Sequence, residues 1–162
     1  MMSLRTRSRE LTLQLLFEKE FQQQGTKSGP SEELIHHAQQ ITEEKPQFRE
    51  KDVTAYALVL FNGYNAHQET IDNLISTYSQ NWKLSRMSIV DRNILRIATF
   101  ELLQMGHEVP PAAVINEAVE MAKRFGTTDS SSFINGVLDQ IARNPNKMVV
   151  DESTNSTTLK SS

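Results

Sequence analysis

The chain contains no cysteine in 162 residues, which excludes disulfides, thiolate zinc sites and cysteine nucleophiles and is compatible with a reducing compartment. Its longest apolar run, Ala57 to Phe61, falls far short of the roughly 18–20 residues that a membrane-spanning helix needs. The first apolar stretch is interrupted by Glu10, Gln14, Glu18 and Lys19, which predicts the absence of a secretory leader. No phosphate-cradling glycine loop, no metal-ligand cluster and no serine-histidine motif is present, and the histidines stand apart at positions 36, 37, 67 and 107. His36 and His37 are adjacent, but neighbouring helical residues point about 100° apart, so they do not suit a shared metal. These absences predict a soluble, cytoplasmic protein without metal, cofactor or catalytic residues, and not an enzyme.

A chain of this length fits one domain and buries roughly 70% of its unfolded surface, enough for a core without staples. The formal charge of −3 argues against a general polyanion binder, and no DNA partner is expected. The distribution is uneven, however. The first nine residues hold Arg5, Arg7 and Arg9 and no acid, so a small basic patch sits on an acidic body.

From Thr6 to Gln22 the residues Leu11, Leu13, Leu15, Leu16, Phe17 and Phe21 keep a helical period with a broad apolar face. The arginines open this helix, where the dipole is already positive and a cation is disfavoured by a few tenths to about 1 kcal/mol. Two readings follow: a solvated basic start, or a phosphate-binding end where guanidinium and free N–H groups face one anion. Either predicts that removing the three arginines leaves the fold intact. Gly25 to Pro30 reads as a loop, and a second helix runs from Pro30 through Ile41. Val53, Ala57, Leu60, Tyr64, Ile71, Leu74 and Tyr78 continue the helical spacing with His67 as its weak position, either as one long helix or as two broken near Asn62-Gly63. The polar segment 146–162 predicts a disordered tail beyond a domain at 1–145.

The stretch from Trp82 to Arg143 resolves into three helices. Ser88 and Asp91 form a capping-box pattern ahead of a stripe of Val90, Ile94, Ile97, Ala98 and Leu102. The Pro110-Pro111 pair opens the second helix, and Lys123, Arg124 and Gly126 close it. Val114, Ala118, Met121 and Phe125 are its expected inward face. The third follows Thr127, Thr128 and Asp129, and carries Phe133, Val137, Leu138 and Ile141. Asp129 suits an N-cap bonding Ser131 or Ser132 N–H, and Gly136, in mid-helix, reads as a helix-crossing point. Phe125 and Phe133 suit either the core or a platform for unpaired bases.

The segments DRNILRIATFEL, VPPAAVINEAVEMAKRFG and SSSFINGVLDQIAR, with RTRSRELTLQLLFE ahead of them, resemble the bacterial transcription antitermination factor NusB family over residues 5–143. The resemblance implies an all-α fold of two packed three-helix subdomains forming one compact domain. It implies binding of the single-stranded boxA element of nascent ribosomal RNA together with the ribosomal protein NusE, in the transcription elongation complex. The expected RNA-binding residues are Arg5, Arg7, Arg9, Gln14, Phe125, Asp129 and Phe133; Phe17 and Asp91 correspond to an aromatic and an acid offered to NusE, whose basic character would suit an acidic body. A helical adapter that binds protein alone, and the NusB-like RNA-binding portion of an rRNA methyltransferase, are the alternatives.

Overall fold

The computed structural model describes residues 3–22, 50–80 and 82–144. Among them lie six α-helices, α1 (Leu4–Gln22), α2 (Glu50–Ala66), α3 (Gln68–Tyr78), α4 (Ile89–Gln104), α5 (Pro111–Phe125) and α6 (Ser130–Ala142), with a 3-10 turn at Leu84–Arg86, and no strand. The expected helix at 30–41, with His36 and His37, and the tail at 146–162 lie outside the described residues, as does the division into two three-helix subdomains that depends on that helix.

The core is organised around α4, which packs against each of the other five helices. Ile94, Leu95, Ile97, Ala98, Phe100 and Leu102 are buried, and so are the polar Asn93, Thr99 and Glu101 between them; a helix covered on nearly all sides must hide its polar positions as well. Helices α1 and α2 lie on one flank of α4, α5 and α6 on another, and α3 touches both α4 and α6.

Two devices let α1 and α2 come together and lie against α4. At the α1–α2 seam, Ser8 and Thr12 are buried, and their hydroxyls bond back to α1 carbonyls and reach Val53 O and Ala57 O of α2, at 2.9 and 3.2 Å. Small hydroxyl residues permit the close approach and satisfy themselves within it. Where α2 passes α4, a Cβ at Gly63 would meet the Phe100 ring at 2.2 Å, so only glycine fits. The helix therefore runs straight through Asn62-Gly63, and the break before α3 falls at His67.

Gly136 corrects the expectation of a crossing there, because nothing lies within 4 Å of its would-be Cβ. The caps agree in part with the sequence reading. Ser3 Oγ accepts the Thr6 N–H, Ser88 Oγ accepts the Asp91 N–H at 3.0 Å, and Pro110 and Pro111 open α5. Asp129 occupies the N-cap of α6 but makes no side-chain cap bond; instead Ser130 Oγ accepts the Thr127 N–H at 2.9 Å.

Candidate nucleic-acid interface

The three N-terminal arginines take three different environments. The guanidinium of Arg5 lies 4.6 Å from the centre of the Tyr56 ring and donates to Glu108 at 3.2 Å, with both side chains well exposed. Arg7 donates to Glu10 one helical turn on, at 3.2 Å. Arg9 is 4% exposed and grips Glu101 of α4 through two bonds of 2.6 and 2.8 Å, while Tyr56 Oη donates to the same carboxylate at 3.1 Å. The expectation of three solvent-facing cations is corrected here. Helical geometry turns Arg9 inward beside Leu13 and Leu16, where a buried acid awaits it.

Burial alone would lower the Arg9 pKa, but the Glu101 hydrogen bond and the Glu101 charge outweigh it and the net shift is upward, so this pair is ionic. Burial first, and then the charge of Glu101, push the Tyr56 phenol up to about 12, which keeps its proton available to donate.

Glu10 joins the start of α1 to the last turn of α5. Its Oε2 accepts from Arg7, and its Oε1 forms an ion pair with Arg124 of α5 at 2.9 Å. Gln14 lies one further turn along the same face of α1, half-buried, with Oε1 shielded and without a hydrogen-bond partner among the described residues. Phe125 follows Arg124 and is 45% exposed, with the Arg124 guanidinium 5.6 Å from its ring centre. The expected inward face of α5 thus ends at Met121, because the last turn runs beyond the core. In the sequence Arg124 is a favourable charge at a helix end that, with Lys123, brackets the loop before α6; its partner Glu10 is too distant in sequence for any local pattern to reveal.

The loop after Phe125 leads directly into a groove of about 350 Å³ between the starts of α4 and α6, lined by Trp82, Ser88, Asp91, Asp129, Ser130 and Phe133 among others. Trp82 is 56% exposed and meets the half-buried Phe133 edge to face, with centroids 6.4 Å apart. Asp91 lines this groove, and its Oδ1 is shielded and without a hydrogen-bond partner among the described residues. Asp91 and Asp129, which the sequence reading assigned to different constellations, therefore share one groove. Phe17 is 39% exposed in the last part of α1, one turn before Glu20, which is bound by Arg92 next to Asp91.

That last junction is a second ionic network, built from residues too far apart in sequence for a local pattern to reveal. Glu20 receives Arg92 and also Arg96, the latter at 2.6 Å, and Arg96 forks onto Asp72 of α3 at 3.0 and 3.1 Å. Tyr64, 1% exposed, donates to Asp72 beneath it. Among the described residues, no group of three or more His, Cys, Asp or Glu side chains could hold a metal ion, and no helix is long and apolar enough to cross a membrane.

The described residues form an all-helical module in which a guanidinium-bearing face continues into an exposed aromatic and an aromatic-acidic groove. The chain belongs to the NusB family, which it matches over residues 6–143. Transcription antitermination protein NusB of Myxococcus xanthus (strain DK1622) is 40% identical over 146 residues, 90% of this chain and 99% of the relative. The solved structure of T. maritima NusB is similar with a TM-score of 0.69 and 36% identity, over 92% of this chain and 99% of that one. A solved complex of antitermination factors NusB and NusE with dsRNA contains a chain similar with a TM-score of 0.67 and 26% identity, over 88% of this chain and 98% of that one.

Proposed function

We propose that this protein is a transcription antitermination factor that, with the ribosomal protein NusE, binds boxA RNA of nascent ribosomal RNA transcripts and promotes processive transcription. It acts in the cytoplasm within the elongation complex and catalyses nothing itself. The observation that carries this reading is the likeness to antitermination proteins along nearly the whole chain, joined to a solved neighbour that contains NusE and RNA. The physical logic is combination. Arg5 and Arg7 supply few phosphate contacts, so the chain alone binds weakly, and a partner that extends the RNA site converts two weak contacts into one useful one. Phe125 and the α6 side of the groove, at Asp129 and Phe133, receive unpaired bases, while Phe17 and, on the α4 side of the groove, Asp91 face the protein partner.

The testing experiment is a titration of labelled boxA and scrambled single-stranded RNA at several salt concentrations, with and without NusE. The expected result is a preference for boxA that strengthens with NusE, and affinity that falls with salt. Equal binding of both RNAs with NusE present would overturn the RNA reading. A protein-only adapter is the second reading, favoured by the pairing of Arg5, Arg7 and Arg9 with carboxylates; it predicts NusE binding unaffected by either RNA.

A further inference from the structure

We propose that Arg7, Glu10 and Arg124 form a single clamp for one RNA phosphodiester, in which Arg124 touches the RNA and Glu10 is a positioning residue; this rests on the RNA-binding reading above. The two arginines come from the start of α1 and the last turn of α5 and are drawn to the two oxygens of one carboxylate, at 3.2 and 2.9 Å. Side-chain exposure rises from 9% at Glu10 to 16% at Arg7 and 33% at Arg124, so the acid and Arg7 form the floor and Arg124 faces outward. Without the acid, two guanidinium groups this close would repel each other. With it, the triad carries one net positive charge, the complement of one phosphodiester. The Arg124 guanidinium has five N–H donors, and the acid leaves most of them for an anion approaching from solvent, whereas the Arg7 Nε–H is shielded. Phe125, exposed beside Arg124, offers a flat surface one residue away, so a nucleotide held by its phosphate can rest its base there.

Glu10 could instead compete with RNA for the arginines. Its burial and its two engaged oxygens argue for positioning, and the two roles predict opposite signs. The test uses the full chain with NusE, a single-stranded boxA RNA, and the slope of log affinity against log salt, with melting temperature as the folding control. Arg124→Ala is expected to weaken binding about tenfold, as for the loss of one charge-assisted contact, and to reduce the slope by about 0.7. Arg124→Lys should keep the slope and recover part of the affinity. Glu10→Gln should weaken binding although it makes the protein more positive, and Arg143→Ala, at an exposed arginine on the last turn beyond α6, should change nothing.

An unchanged slope in Arg124→Ala, with the parent protein binding boxA normally, overturns the clamp; so does loss of NusE affinity without loss of RNA slope. Tighter binding by Glu10→Gln overturns the positioning role. If Glu10→Gln lowers the melting temperature, the two Arg124 variants decide the question alone. Failure of the parent protein to bind boxA with NusE overturns the preceding section instead.

Discussion

The two ends of α1 are charged against the helix dipole, with arginines at the start and Glu18 and Glu20 near the finish, yet the ends are used differently. At the finish, Glu20 is locked among Arg92 and Arg96, with Asp72 behind them, and each of these side chains is at most one-fifth exposed. At the start, Arg9 is locked in this way and Arg7 is covered to a similar degree, whereas Arg5 and the remote Arg124 keep a solvent-facing side. A dipole preference of up to about 1 kcal/mol is readily outweighed by tertiary ion pairs with two-pronged geometry. One end therefore fastens α1 to α3 and α4, whereas the other combines one fastening with a surface that an anion can approach.

The sharpest way to break this comparison is Arg9→Ala, which strands Glu101, itself 1% exposed. The expected loss is about 3–5 kcal/mol in urea denaturation, and Arg9→Met with Glu101→Leu should recover most of it. This replaces the expectation that all three arginines can be removed with the fold intact. A loss for Arg9→Ala below about 1 kcal/mol would mean that the start of α1 is open throughout.

At the other end, Glu20→Gln should cost about 1–3 kcal/mol at neutral pH and flatten the acid side of the stability profile. Burial tends to raise the Glu20 pKa, but the hydrogen bond and charge of Arg92, with Arg96, overcome it and the net shift is downward. A depressed folded-state pKa gives stability that is complete above the ordinary value of 4.5 and is lost as pH falls through the folded value. Melting temperatures from neutral to acid pH check this: parent and variant should converge on acidification, and parallel profiles would refute it.

Arg5→Ala should change stability by less than about 1 kcal/mol, as expected for an exposed pair, while reducing the RNA salt slope by about 0.7 with NusE present. An unchanged slope would assign Arg5 to the surface alone. The smallest effect is expected for Glu108→Gln: releasing Arg5 from its exposed partner should alter stability by only about a few tenths of a kcal/mol and tighten RNA binding slightly in the same titration.

Helical periodicity sufficed for most of the interior. Leu11, Leu15, Val53, Ala57, Ile94, Ile97, Val114, Met121 and Leu138 are buried, as their spacing predicts, because each lies on the stripe its own helix turns toward α4 or a neighbour. What periodicity could not supply was any relation between residues distant in sequence. Nothing local distinguishes Arg9 from Arg5, and the reason for their different fates, Glu101, lies 92 positions away. The two glycines show the same limit: Gly63 looked like a break and is a point of contact with Phe100, while Gly136 looked like a contact and faces open space. In the candidate site, Asp91, Asp129 and Phe133 were recognisable as residues, but their common groove was not, since it forms only when the starts of α4 and α6 are brought side by side.

That groove also holds the chain's one tryptophan. Trp82 stands at its rim with more than half of its surface in water, so the indole emission of the whole protein originates from a single place beside the aromatic-acidic wall. RNA contributes no competing indole signal. A base or a peptide settling over Phe133 must displace water from that ring and change its colour or yield, which gives this molecule a built-in optical gauge of groove occupancy that needs no label.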